Sequence, residues 1–150
     1  MGRRDARVLD GSKVDHDFTG AVIEEARHAG AIISRVMHPP SQTIDAHAHD
    51  WPMLALYRIG SYREFGDDGV IAFDGPSVVF QPAGAAHADE IGARGLETVS
   101  LTFDPAWLDH DVRAALPKRT LWRSGGATGA AASRLIRVWL SGDEAKLRAE

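Results

Sequence analysis

The chain has 150 residues, a formal net charge of −4 and no cysteine. Its length fits one domain with a sizeable core, and the lack of cysteine excludes disulfide bonds and thiolate metal sites. No basic stripe suits nucleic acid, no apolar run reaches the roughly 20 residues of a membrane span, and no apolar stretch follows the early arginines as in a signal peptide. We therefore expect a cytoplasmic protein without a membrane partner.

The first two thirds of the chain predict an arm followed by short strands. Residues 1–25 begin with a charged segment and are predicted to form a flexible arm. Alternating or β-branched segments bounded by Gly, Pro and Asp predict strands over 31–37, 43–49, 53–59, 61–65, 70–73, 77–81 and 96–103. Short strands with regular turns are typical of a sandwich or barrel, so residues 26–104 are assigned to a mainly β domain.

The last third of the chain changes to a helical pattern. Asp104 and Pro105 are typical of the first positions of a short helical turn. A helix is predicted from Thr128, with an apolar stripe made of Ala132, Leu135, Ile136, Trp139 and Leu140. A second helix start is predicted over 141–144. Residues 105–150 are thus expected to be a helical extension, truncated within an element of a longer protein.

Two histidines, His47 and His49, stand one residue apart on a segment that alternates. Alternation places Thr43, Asp45 and both histidines on one face of a strand. Two imidazoles on one face suit either a metal site or a polar pocket bonded to water and backbone, and the residues alone leave both alternatives open. Asp45 could add a carboxylate, although it precedes the pair.

Two motifs resemble those of the cupin family. "HAH" before an apolar strand ending at Gly60 is similar to the first cupin motif, and "GPSVVFQPAGAAH" (75–87) is similar to the second, with Gly84 at a tight turn before His87. The resemblance implies an antiparallel β-barrel of the jelly-roll kind. In metal cupins a glutamate usually stands where this chain has Met53, so the resemblance leaves a set of three histidines, His47, His49 and His87. Such a set could hold one divalent metal such as Zn, Fe or Ni.

A narrower resemblance covers most of the chain. The order of both motifs, "LTFDPAWL" and the helical pattern resembles the N-terminal sensor domain of AraC-type transcription regulators. It implies a ligand-sensing and dimerisation domain that binds a small-molecule effector, forms a homodimer, and reaches DNA only through a helix-turn-helix domain missing from residues 1–150. The alternative is a stand-alone metal-dependent cupin enzyme, of the dioxygenase or isomerase type, that uses the three histidines.

Several side chains near the motifs could line a ligand pocket. Met53 and Tyr57 share the parity of an inward-facing strand, and each could contact a ligand or simply fill the core. Trp51 could cover a ligand or pack at the rim. The ligand-binding prediction therefore comprises His47, His49, Trp51, Met53, Tyr57 and His87. No residue is assigned a catalytic role, and Asp89, Glu90 and Glu97 near the second motif are expected to be solvated.

Overall fold

The computed structural model describes residues 19–28 and 30–141, which form mainly antiparallel β-sheet. The strands are β1 (Ala21–His28), β2 (Ala31–His38), β3 (Thr43–His47), β4 (Met53–Gly66), β5 (Gly69–Asp74), β6 (Ser77–Gln81), β7 (His87–Phe103) and β8 (Leu121–Ser124). The helices are α1 (His110–Ala115) and α2 (Gly126–Ser141). The prediction of a mainly β fold of the jelly-roll type, followed by helices, is confirmed.

Two long strands, β4 and β7, form the centre of the sheet. The strand order is β1-β2-β7-β4-β6-β8, with β3 also paired to β7 and β5 to β4. The register of β4 on β7 shifts between Tyr57 and Ile59 and again between Gly60 and Tyr62. Such irregularities bend and twist a strand. The two halves of each long strand therefore pair with different neighbours. The first half of β4 pairs with β6 and its second half with β5, whereas the first half of β7 pairs with β3 and its second half with β2.

The core has two parts, one on each face of β4. Met53, Ala55 and Tyr57 belong to a buried cluster inside the barrel, together with Tyr62 and Phe73. Leu56, on the opposite face, packs with Val99 of β7 and with Ala132 and Ile136 of α2. The segment 53–59 is apolar at nearly every position because both of its faces are covered, as its sequence predicts.

The two central strands, β4 and β7, are longer than the sequence predicts. Segments 53–59 and 61–65 form one strand, β4, because the backbone passes through Gly60 without leaving the sheet. Strand β7 begins at His87 rather than residue 96, and its early half pairs with both β3 and β4. β1 and β8 were not predicted as strands, whereas α1 lies within the predicted helical extension. β8 is exposed at all four positions, so burial imposes no alternation on its sequence.

Both ends of the described chain contain strands that pair with the sheet, β1 near the start and β8 near the end. Residues 1–18 of the predicted arm lie outside the described residues, whereas 21–25 belong to β1, which pairs with β2. β8 lies within the predicted helical extension and pairs with β6. At residues 104–107 the predicted turn is present: Trp107 N–H donates to Asp104 C=O at 3.0 Å, and Ala106 N–H donates to Asp104 Oδ1 at 2.8 Å.

Helix α2 covers the outer face of the barrel. It begins at Gly126, and Ala132 and Ile136 of the predicted stripe are 4% and 1% exposed. Leu135 is 37% exposed and does not belong to the buried cluster that Ala132 and Ile136 form with Leu56 and Val99. The side chains of Trp139 and Leu140 and the predicted helix start at 141–144 lie outside what the structure describes. Neither described helix has the length and apolar character needed to cross a membrane.

Glu97 is buried on the outer face and ties three strands together. Its side chain is 3% exposed and accepts hydrogen bonds from Arg35 Nε of β2 and Arg58 Nε of β4, both at 2.8 Å. Burial alone would raise the pKa of the Glu97 carboxyl, but the hydrogen bonds and charges of Arg58 and Arg35 outweigh burial and lower this pKa overall. The expectation that Glu97 is solvated is therefore wrong.

Candidate metal and ligand site

The three predicted histidines meet at one end of the barrel. His47 at the end of β3 lies directly opposite His87 at the start of β7, and their ring centroids are 4.3 Å apart. The ring of His49 is 5.1 Å from that of His47 and 5.2 Å from that of His87. One nitrogen from each ring lies within 4.8 Å of the other two. The structure thus brings together the residues that the sequence predicts as metal ligands.

Backbone carbonyls fix the ring orientation of two of these histidines. His47 Nδ1 is 2.9 Å from the carbonyl oxygen of Asp45, and His87 Nδ1 is 3.0 Å from that of Ala85. Because a carbonyl can only accept, each Nδ1 carries a hydrogen, and in the neutral ring each Nε2 has a lone pair. Histidines that ligate metals are commonly oriented by such a bond on the other ring nitrogen. The donor set therefore fits a divalent cation.

An irregularity in β3 changes which side chains face the interior. Simple alternation would place Ile44 and His47 on opposite faces of β3. Ile44 is nevertheless 6% exposed and lines the same cavity as His47. The register of β3 on β7 shifts between these two residues, which reverses the parity of the strand. Asp45 is exposed and contributes only its carbonyl oxygen, so its carboxylate lies away from the site.

The histidines line a small cavity in the barrel with a volume of about 40 Å³. Five of the six predicted ligand-binding residues line it: His47, His49, Met53, Tyr57 and His87. Trp51 is half-buried and is not among the lining residues. Since a single water needs roughly 10–15 Å³ by this measure, the cavity has room for an ion with a few waters or a very small ligand.

A buried carboxyl pair lies beside the histidines, and the sequence did not predict it. Asp89 and Glu64 are 5% and 2% exposed. The Tyr62 hydroxyl is 2.7 Å from Asp89 Oδ1 and 2.8 Å from Glu64 Oε2, and Gln81 Nε2 donates to Glu64 Oε2 at 2.9 Å. The expectation that Asp89 is solvated is therefore wrong. One sequence signal was present, because Asp89 follows His87 by two residues and shares its parity on β7.

The charges in this region favour a cation. Glu64, His87 and Asp89 are all buried, with potential ligand atoms within 4.8 Å of one another. Burial is the main cause that raises the pKa of Glu64, and nearby Asp89 raises it further. No lysine or arginine is among the described residues that line the cavity. Buried carboxylates are normally paired or bound to metals, so a cation would stabilise this cluster.

Tyr57 and Tyr62 line the cavity, and their rings pack with the ring of Phe73 behind them. The ring of Tyr57 lies 4.9 Å from that of Tyr62 and 4.8 Å from that of Phe73. Burial and the nearby carboxyls raise the pKa of Tyr57 far above its ordinary value, so its hydroxyl keeps its proton. Gln81 Oε1 is buried and has no hydrogen-bond partner among the described residues. The site thus combines a hydroxyl donor with an acceptor that needs a ligand or water.

Comparison with known proteins gives similarities of fold only. No protein-family model matches the chain, and no curated protein matches it significantly. A cupin superfamily protein from Desulfitobacterium hafniense is similar in structure, with TM-score 0.47 and 19% identity over 53% of this chain and 72% of that one. A cupin-2 domain protein from Shewanella frigidimarina has a TM-score of 0.45 and 16% sequence identity over 55% of this chain and 76% of its own. A Bacillus subtilis oxalate decarboxylase with Mn(II) centres has a TM-score of 0.45 and 17% sequence identity over 51% of this chain and 22% of its own.

Proposed function

We propose that this chain is a cupin-like barrel that binds one divalent metal ion, such as Zn, Fe or Ni, through His47, His49 and His87. The observation that carries the proposal is the convergence of the three rings, with the Nδ1 atoms of His47 and His87 both occupied by backbone carbonyls. Three neutral imidazoles suit these ions and leave coordination positions open. The buried carboxyls beside them favour a positive charge at this point.

The residues around the histidines indicate what a ligand would meet. A metal bound here would supply a Lewis acid with open positions for a small oxygen or nitrogen ligand. The cavity is too small for a drug-sized molecule, since such sites usually measure about 300–1,000 Å³. Tyr57 can donate a hydrogen bond and Gln81 can accept one. We therefore propose that the ligand has only a few non-hydrogen atoms. We also propose that the protein acts in the cytoplasm.

The first test is metal uptake by the purified full chain. We expect the wild type to bind one equivalent of Zn²⁺ and its unfolding temperature to rise with metal concentration, because binding to the folded state alone stabilises it. His47→Ala should lose at least about 90% of the bound metal at equimolar concentration, by analogy with the large cost of lost ligands. Metal content and thermal unfolding provide the measurements.

The control for this test is a histidine far from the site. His110→Ala removes an imidazole whose side chain is 89% exposed and should leave metal content unchanged. Equal metal content in wild type and His47→Ala would show that surface groups bind the ion, and no uptake at all by the wild type would overturn the proposed metal site.

As a second candidate, we propose that the barrel is the ligand-sensing and dimerisation domain of an AraC-type regulator. It would bind a small-molecule effector, act as a homodimer and contact DNA only through a separate helix-turn-helix domain. The observation in favour is that the last strand of the sheet, β8, and helix α2 expose large apolar side chains: Leu121 at 41%, Trp122 at 37% and Leu135 at 37%. Exposed apolar groups on such elements fit contact with a second copy.

Sedimentation equilibrium tests the dimer. We expect the wild type to form a dimer and Leu135→Ser to weaken it at least about tenfold, which corresponds to roughly 1.4 kcal/mol. Ala130→Ser, at an exposed position of the same helix about 140° around the axis from Leu135, is the control and should dimerise like the wild type. A wild type that stays monomeric at all concentrations tested would exclude the dimeric sensor.

A further inference from the structure

Asp89 lies on β7 with its side chain close to two of the three histidines, His47 and His87. It follows His87 by two residues, so both side chains are on the inner face of the strand, and it is 5% exposed. Its Oδ2 is 3.9 Å from Nε2 of His47 and also 3.9 Å from Nε2 of His87. One carboxylate oxygen therefore faces both imidazole nitrogens at equal distance.

These atoms cannot satisfy one another directly. The Nδ1 atoms of both histidines donate to carbonyl oxygens, so in the neutral rings that bind metals the two Nε2 atoms present lone pairs. Asp89 Oδ2 is also an acceptor, and 3.9 Å is too long for a hydrogen bond in any case. Three acceptor atoms from three side chains thus converge. A cation between them would satisfy all three at once.

The second oxygen of Asp89 is held in place by a buried tyrosine. Asp89 Oδ1 is 2.7 Å from the hydroxyl of Tyr62, which is itself 4% exposed and also contacts Glu64. Support of this kind fixes the orientation of a ligating carboxylate. The buried Gln81 Oε1, which has no partner among the described residues, lines the same cavity and is a further oxygen acceptor there.

We propose that Asp89 is a fourth, carboxylate ligand of the metal, so that the site has three nitrogens and one oxygen. The inference rests on the three-histidine site proposed above. A mixed set changes the expected selectivity, because carboxylate oxygens suit Mn²⁺ whereas imidazoles suit Zn²⁺, Fe²⁺ and Ni²⁺. Asp89 should therefore contribute more to Mn²⁺ affinity than to Zn²⁺ affinity.

Calorimetric titration of the metal-free full chain with Mn²⁺ and with Zn²⁺ tests this. We expect Asp89→Asn to weaken Mn²⁺ binding about a hundredfold and Zn²⁺ binding about tenfold. Asp89→Glu, which keeps a carboxylate, should retain Mn²⁺ affinity within about tenfold of the wild type. Glu90→Gln is the matched control, since this neighbouring carboxylate is exposed and pairs with Arg63; both affinities should stay within about twofold.

The unfolding temperature of the metal-free variants separates a ligand from a structural residue. Asparagine can still accept from Tyr62 while removing a buried charge, so Asp89→Asn should unfold no lower than the wild type. Equal metal affinities in wild type and Asp89→Asn would overturn the role of Asp89 and leave the three-histidine site intact. A common loss for both ions with lower stability would assign Asp89 a structural role only. No binding of either ion by the wild type would overturn the metal site itself.

Discussion

His87→Ala is expected to abolish tight metal binding and to destabilise the metal-free barrel strongly, whereas His49→Ala should abolish tight binding at a smaller cost to the fold. His87 is 4% exposed and belongs both to the histidine set and to the buried group with Glu64 and Asp89. The loss of one of three or four ligands should weaken Zn²⁺ binding by about a hundredfold or more. Loss of the buried ring should cost the fold about 2–4 kcal/mol.

Two measurements check this difference. Competition with a chelator of known affinity gives the metal dissociation constants, and urea unfolding of the metal-free proteins gives their stabilities. His49 is only half-buried, so its truncation leaves a smaller void and should cost less than about 1.5 kcal/mol. If the two variants lose the same stability, His87 does not organise the buried carboxyl group. If either binds Zn²⁺ like the wild type, that residue is not a ligand.

The positions of the three histidines could be predicted because they depend on short-range spacing. His47 and His49 are one residue apart, and His87 follows a tight turn at Gly84, whose φ of +75° is of the kind that glycine adopts readily. These are local features, and the register of β3 on β7 then sets His47 opposite His87. The parity of Ile44 could not be predicted, because it depends on a shift in pairing that no local pattern marks.

The carboxyls of the site depend on long-range pairing. Asp89 and Glu64 are in segments whose charges, glycines and turn residues favour solvent exposure when taken alone. They are buried because β4 and β7 continue through these segments and pair with each other, Arg63 opposite Glu90 and Glu64 opposite Asp89. Glu97 shows the same effect on the outer face, where Arg35 and Arg58 from two other strands cover it. Acidic side chains were thus the least predictable part of the site.

Gly60→Ala is expected to be among the most destabilising single substitutions, although it adds only one methyl group. Gly60 has a φ of +108°, and a Cβ built there would lie 2.0 Å from the backbone oxygen of Gly95. A backbone atom of a paired strand cannot rotate away as a flexible side chain can. We expect a loss of about 3–5 kcal/mol, which combines backbone strain with the separation of β4 from β7.

Gly69→Ala separates these two causes. Gly69 has nearly the same φ, +113°, but a Cβ there would meet no atom within 4 Å. This substitution should therefore cost only the backbone strain, about 1–3 kcal/mol. The difference between the two variants in urea unfolding measures the contact between β4 and β7 at Gly60. Equal losses would mean that conformation alone requires this glycine. A larger loss at Gly60 would mean that the close approach of the two central strands requires it.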